Sequence, residues 1–460
     1  MNITVLNGSP KGEQSVTMQY VFFLQKKFPQ HTFSIQHVAQ RLGKLERDHA
    51  AWQAVCDDVA AADGVLWAFP LYYMLVHADY KRFIELIWER QAQSVFAGKY
   101  AAAFSTSIHF YDHTAHNYIQ AICEDLGMRY VNYYSADMSD LKNAKERQTF
   151  LRFAEHWFDA IAQAKPTLRA FAPLQANAMT YSPAPAASSV KLNGCKAVIV
   201  TETTDTQANI GRMVAQLRQT FAQPVEVFDL AQLDMKGGCL GCIRCAYDNV
   251  CVWDAKDGYH EWFDAHLKTA DIVIFAGAIH DRYLSARWKM FLDRSFFNNH
   301  ASVLMGKQIG YLISGALSQQ HNLREMLQAY AELQRSNFAG IVTDEVGSSA
   351  ELDAQIHAFA SHLVRCAEQQ HFQPATFLGV GGHVLFRDAI WSDMRFVFQA
   401  DHRFYKANGF YNFPQKKYHI RLLNLLGAAL MKIPAFRKRF YSKEMIPGMI
   451  RGLQKVVAEA

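Results

Sequence analysis

The chain has 460 residues, half of them apolar, with 47 Lys and Arg against 42 Asp and Glu for a formal charge of +5. That length and apolar share exclude a disordered chain and a single small domain, and no apolar run reaches the ~20 residues that a spanning helix needs. The charge is uneven: residues 371–460 hold 14 Lys and Arg against 5 Asp and Glu, leaving 33 against 37 elsewhere, so a mildly acidic body precedes a basic, aromatic-rich extension.

The first residues, MNITVLNGSP, run straight into a strand pattern without the layout of a signal peptide. A cytoplasmic protein is expected, in which clustered cysteines favour metal or redox chemistry over structural disulfides. Short continuous apolar runs predict strands near 2–7, 32–38, 64–69, 100–105 and 129–135, with amphipathic helices between them and a last helix near 143–164. The stretch 166–193, rich in Pro, Ala and Ser, reads as a linker. The pattern then repeats, with strands near 196–202, 225–229, 271–276, 308–313 and 339–343 and a last helix near 349–369.

The repeat is visible in the residues. DGVLWAFPLYYMLVHADYKRFIE, residues 63–85, aligns without gaps on DIVIFAGAIHDRYLSARWKMFLD, residues 271–293, at an offset of 208, which also pairs Gly98-Lys99 with Gly306-Lys307. The first strands pair at an offset of only 194, so the second half gains 14 residues between its first and third strands. Alternating βα units predict two tandem flavodoxin-like, doubly wound, parallel five-stranded sheets of order 2-1-3-4-5, followed by a basic and mostly helical C-terminal extension. The expected domains are 1–165, a linker 166–193, 194–371 and the extension 372–460.

The 14-residue gain falls where four cysteines stand close together. Cys239, Cys242, Cys245 and Cys251 follow the second strand of the second half as C-x2-C-x2-C-x5-C, in GGCLGCIRCAYDNVC, whereas the other four cysteines are scattered singly. Thiolates at this spacing suit an iron–sulfur cluster, while structural zinc more often uses two knuckles separated by a longer spacer; unligated thiols are the third reading.

In open α/β sheets ligands sit beyond the C-terminal strand ends. The loop after the first strand, NGSPKGEQSVT at 7–17, offers helix N-terminal amides, hydroxyls and a lysine to a phosphate. It resembles the G-S-P-R/K-x-x-S-x-T loop of NAD(P)H-dependent FMN reductases in Gly8, Ser9, Pro10, Lys11, Ser15 and Thr17, with Val16 where the family usually has Asn. The segment FPLYYMLVHA is similar to the family's P-x-Y segment beside the isoalloxazine ring, through Pro70, Leu71 and Tyr72, with Lys81 on the following helix. The resemblance implies an FMN phosphate held by Ser9, Lys11, Ser15 and Thr17. The ring would be framed by Pro70, Leu71, Tyr72 and, after the fourth strand, Thr106, Ser107 and His109. His109, His113 and His116 admit three readings: a metal set, flavin or substrate contact, or packing at a helix start.

The second half lacks the G-S-P core. TETTDTQANI, residues 201–210, places Asp205 near any phosphate, so the presence of a second FMN stays open. The cysteine run, with Ser285, Ala286, Lys289, Phe291, Asp293 and Arg294 downstream, resembles the iron–sulfur flavoproteins, which implies a [4Fe–4S] cluster on Cys239, Cys242, Cys245 and Cys251. The expected function is an FMN-dependent NAD(P)H oxidoreductase passing electrons between flavin and cluster to a small-molecule or protein acceptor. The alternatives are a cluster-free quinone, azo or flavin reductase, an electron carrier, and a peripheral membrane redox module. Such family members pair as dimers, which implies that the two halves form an internal pseudo-dimer with the cysteines near the flavin; a homo-oligomer of the whole chain is also open. In the extension, the G-x-G-G of FLGVGGHVLFRD has no acidic residue at nucleotide-fingerprint distance. KYHIRLLNLLGAALMKIPAFRKRF fits either a helical cap or an anionic membrane surface. No nucleic-acid module is evident.

Overall fold

The computed structural model describes residues 1–175, 179–185 and 188–460. Ten strands form two five-stranded, all-parallel sheets. The first is ordered β2-β1-β3-β4-β5, from β1 (Asn2–Asn7), β2 (Thr32–Gln36), β3 (Gly64–Pro70), β4 (Tyr100–Ser107) and β5 (Arg129–Asp137). The second, from β6 (Ala197–Thr201), β7 (Glu226–Asp229), β8 (Ile272–Ala278), β9 (Gln308–Ser314) and β10 (Asn337–Thr343), has the equivalent order. The central strands are buried on both faces by helices, which is why they read as unbroken apolar runs instead of alternating ones. Register fixes the equivalence of the halves: Asn7 lies beside Ala68 as Thr201 lies beside Ala276.

One interval departs from the repeat. Between β2 and β3 the first half builds two helices, Leu42–Arg47 and His49–Ala61. Between β7 and β8 the second half holds the cysteine segment and a short helical stretch, Tyr259–Leu267. The linker expected over 166–193 includes residues 176–178 and 186–187, which lie outside the described residues. Among its described residues, Tyr181 is fully buried in the core of the second half, its hydroxyl bonded to Asp353, and Val190 bridges to Phe221.

The two halves lie in one compact unit, Met1–His402. Their equivalent helices, Ala78–Glu89 and Ala286–Arg294, meet in reciprocal fashion. The backbone N–H of Ala78 donates to Asp293 Oδ2 (2.8 Å), and that of Ala286 to Glu85 Oε1 (2.6 Å). Ala78 and Ala286, like Glu85 and Asp293, are 208 residues apart, so each half lends a carboxylate to the first turn of the other's helix, where orphan N–H groups and the helix dipole favour negative charge. This is the pseudo-two-fold contact of an internal dimer.

The chain forms two compact units, Met1–His402 and Arg403–Ala460. The helix Phe377–Trp391 belongs to the first unit. Its glycines allow the reason to be seen: a Cβ at Gly379 would meet Glu332 at 2.7 Å and one at Gly382 would meet Phe110 at 2.6 Å. The G-x-G-G run is thus a close-packed helix, with the N–H of Gly379 donating to Glu332 Oε2. The remaining unit, Arg403–Ala460, carries the helices Tyr418–Leu430, Pro434–Arg439 and Met445–Glu459.

Candidate flavin and cysteine site

The loop after β1 is built around a glycine. The N–H of Gly8 donates to Ala68 O (2.8 Å), and a Cβ on Gly8 would lie 2.5 Å from the Tyr80 ring, whose hydroxyl is bonded to Leu6 O. Ser9 is buried; its Oγ accepts the N–H of Lys11 (3.3 Å), which leaves the hydroxyl proton for an outside acceptor. Lys11 is exposed. Ser15 caps the helix Val16–Lys27, accepting from the N–H of Met18 (3.2 Å) and donating to Gly12 O (3.0 Å). Thr17 is fully buried and shares a hydrogen bond with Thr106 (2.7 Å), tying the loop after β1 to the end of β4. Val16 is partly exposed.

Pro70 ends β3, and the N–H of Leu71 donates to Thr106 O (3.2 Å). Tyr72 and Leu75 exchange backbone hydrogen bonds of 2.8 and 3.0 Å across a tight turn in which Tyr73 (φ 38°) and Met74 (φ 63°) are both left-handed. Two non-glycine residues in that region cost backbone energy, which the surroundings must supply. They do so across the halves: Tyr73 and Met74 line a cavity in the second half with Phe275, Tyr283, Trp288 and Tyr330.

After β4, Ser107 Oγ accepts the N–H of His109 (2.8 Å), and His109 Nδ1 is 2.8 Å from Asp112 Oδ2, which also accepts from Ser135 Oγ (2.5 Å). The hydrogen bond to the Asp112 carboxylate raises the pKa of His109 against a smaller opposing effect of burial. The three histidines of this segment diverge. His113 pairs with Glu325 of the second half (3.0 Å), and His116 is buried against Ser105 (2.8 Å), its pKa lowered to about 3 by burial. The metal reading of that trio finds no convergent geometry: among the described residues no three His, Cys, Asp or Glu side chains converge as a set for one ion.

The cysteine segment lies against the loops after β1 and β3. His77, fully buried, caps the helix Ala78–Glu89 by accepting the N–H of Asp79 at Nδ1 (3.1 Å). Nε2 then carries the ring proton and donates to Cys239 O (2.7 Å). Gly241 adopts φ +61°, and a Cβ there would fall 2.1 Å from Tyr72 Oη and 3.0 Å from Lys11 Cε. Only glycine passes between those two side chains. Sequence reading missed His77 because its signal, a histidine one residue before a helix, is that of an ordinary cap.

All four cysteines line one cavity with Val252, Phe296 and Phe297. Its frame is held by the buried Arg294, which makes two 2.8 Å hydrogen bonds to Asp257 and one of 2.9 Å to Gly237 O. Asn299 adds bonds to Cys245 O and Asn249 Oδ1, and Trp253 Nε1 donates to Gly238 O. Burial, and then the neighbouring cysteines, push Cys245 up to about 12; burial likewise pushes Cys239 to about 12 and raises Cys251. Thiols in such a setting stay protonated at neutral pH unless a cation takes the proton's place. A single zinc would draw four sulfurs to about 2.3 Å from one centre. The four cysteines line a common cavity, yet among the described residues no three His, Cys, Asp or Glu side chains converge as a metal-holding set.

The second half has no comparable phosphate loop. Glu202 stands where Gly8 stands in the first, its N–H directed at Ala276 O as that of Gly8 is at Ala68 O. Its carboxylate accepts from the N–H of Ala278 (2.5 Å) and lies 3.6 Å from His280. Asp229 accepts from Thr204, and Asp205 lies on the same loop. A phosphate would meet three carboxylates here. The loop after β8 is committed to the first half instead: Asp281 pairs with Lys81 (2.9 Å), and Arg282 makes two 2.6 Å hydrogen bonds to Asp125.

A family model described as NADPH-dependent FMN reductase matches residues 1–139 and 196–343. Among solved structures, the chain is 19% identical to an NADH:FMN oxidoreductase (EMOB, apo form), over 34% of this chain and 87% of that one, with a TM-score of 0.29. It is 19% identical to FerB, a flavoenzyme NAD(P)H:(acceptor) oxidoreductase from Paracoccus denitrificans, over 35% and 97%, at 0.29. To RosB it is 14% identical over 44% and 88%, at 0.32. No curated protein matches the chain.

Proposed function

The chain belongs to the NADPH-dependent FMN reductase family, matched by both halves, and from that premise we propose that one half carries the flavin and the other a redox cluster placed beside it. The protein is an NAD(P)H-dependent flavin oxidoreductase. In our reading the first half holds FMN, with Ser9, Lys11, Ser15 and Thr17 at the phosphate and Pro70, Leu71, Tyr72, Thr106, Ser107 and His109 at the ring. Cys239, Cys242, Cys245 and Cys251 hold a [4Fe–4S] cluster, and an acceptor takes the electrons.

Bound FMN exchanges electron pairs with the nicotinamide, and a bound cluster passes single electrons. The chain's own residues bind and position. The Ser9 hydroxyl and Lys11 ammonium supply donors for a phosphate, Thr17 and Thr106 lock the two loops together, and Gly241 lets the cysteine segment approach Tyr72. The reading rests chiefly on the 2.7 Å contact between His77 and Cys239 O, which brings the cysteine segment of one half to the loop after β3 of the other.

Anaerobic purification followed by assay of FMN, iron and sulfide per chain tests it. We expect one FMN and about four iron and four sulfide; iron near zero refutes the cluster. The lack of a converged single-ion set favours, as a second reading, a cluster-free reductase with free thiols. In that case FMN and NAD(P)H turnover persist in iron-free protein and survive Cys→Ser substitution.

A further inference from the structure

We propose that the unit Arg403–Ala460 docks the enzyme on an anionic lipid surface. Three observations on that unit carry the inference. First, its helices bury nothing: none of the residues in Tyr418–Leu430, Pro434–Arg439 or Met445–Glu459 is buried, and Leu425 is 70% and Val457 75% exposed. Second, the apolar residues are sorted. In Met445–Glu459, the residues Met445, Ile446, Met449, Ile450, Leu453 and Val456 fall within an arc of about 140° when turned at 3.6 residues per turn. Arg451, Gln454 and Lys455 occupy the opposite arc. In Tyr418–Leu430 the five leucines span about 160°, with Asn424 opposite their centre and Arg421 at their edge beside Leu425.

Third, the charge selects the partner. The unit holds 12 Lys and Arg against 2 Asp and Glu, with Arg437, Lys438 and Arg439 in a row between the two amphipathic helices. A second copy would bring like charges together around the apolar faces. An anionic bilayer takes the apolar arcs among its acyl chains and pairs the basic residues with its headgroups. The helices, of 13 and 15 residues, are about 20 and 22 Å long against a hydrocarbon core of about 30 Å, so they lie in the interface. No described helix is long and apolar enough to cross a membrane.

Co-sedimentation of the full-length protein with vesicles tests the proposal. Phosphatidylcholine vesicles with about one-third phosphatidylglycerol should pellet it, and phosphatidylcholine alone should bind on the order of tenfold more weakly. The triple variant Arg437→Glu, Lys438→Glu, Arg439→Glu should lose at least about tenfold in affinity for the anionic vesicles. Ile450→Glu with Leu453→Glu should abolish pelleting. Unchanged thermal melting of both variants establishes that unit Met1–His402 stays folded. Failure to pellet with anionic vesicles overturns the proposal, as does equal binding to both lipids. A dimer in sedimentation velocity that the Ile450/Leu453 variant dissolves, without vesicle binding, assigns the surface to a second copy and equally overturns it.

Discussion

Lys81 Nζ and Asp281 Oδ2 lie 2.9 Å apart, the lysine fully buried and the carboxylate nearly so, and join the helix after β3 of the first half to the loop after β8 of the second. Burial alone would pull the Lys81 ammonium down, but Asp281 and Glu85 outweigh it and raise its pKa. Tyr118 donates to the same Asp281 oxygen (3.1 Å). The pair is therefore a hydrogen-bonded network between halves and not an isolated bridge.

Lys81→Met should destabilise the unit Met1–His402 by about 2–4 kcal/mol, because two nearly buried carboxylates lose a cation, although Glu85 keeps its contact with Arg82. Chemical denaturation read by tryptophan fluorescence measures it. The double variant Lys81→Met, Asp281→Asn should recover part of the loss.

One FMN per chain is the expected stoichiometry, since the equivalent position in the second half is occupied by Glu202 with Asp205 and Asp229 close by. Equilibrium dialysis checks this. Lys11→Ala and Ser9→Ala should each weaken FMN binding by about tenfold, the scale of one charge-assisted hydrogen bond. Two equivalents bound per chain would overturn the one-site reading.

In metal-free protein, Cys239 and Cys245 should alkylate slowly near neutral pH, because burial pushes both thiols up to about 12. Mass spectrometry after timed iodoacetamide treatment resolves each site. Rapid labelling of both would favour reactive free thiols.

His109 should titrate above the ordinary value of about 6.5 in proton NMR, and Asp112→Asn should bring it back down, since the Asp112 hydrogen bond is the leading cause of the rise. The sign for stability follows from a raised folded-state pKa. The pairing contributes fully below the unfolded value and is lost as pH rises through the folded one. Asp112→Asn should therefore cost stability at mildly acid pH and progressively less above it. His116, lowered to about 3 by burial, should stay neutral throughout that range.

Most of the fold was legible because buried parallel strands write themselves as apolar runs, and because the gapless match of 63–85 on 271–293 set the halves in register. The offset change from 194 to 208 located the cysteine segment for the same reason. Contacts between halves were not legible. Asp281 and Arg282 look like loop charges until the folded chain sets Lys81 and Asp125 opposite them. His77 looks like a cap, and is one, before it is also a donor to Cys239 O. Only the packing of Phe110 and Glu332 against Gly382 and Gly379 shows why a helix needs those glycines.

The reciprocal pair Ala78–Asp293 and Ala286–Glu85 has an evolutionary consequence. In a dimer of identical subunits every substitution appears at both copies of the seam, so a change that helps one site is forced on the other. Joining the two subunits in one polypeptide lifts that constraint while keeping the seam. The halves do differ at equivalent places: Glu202 takes the register position of Gly8, and the four-cysteine segment follows the second strand of the second half only. Division of labour between the halves is what covalent fusion of a symmetric pair makes possible.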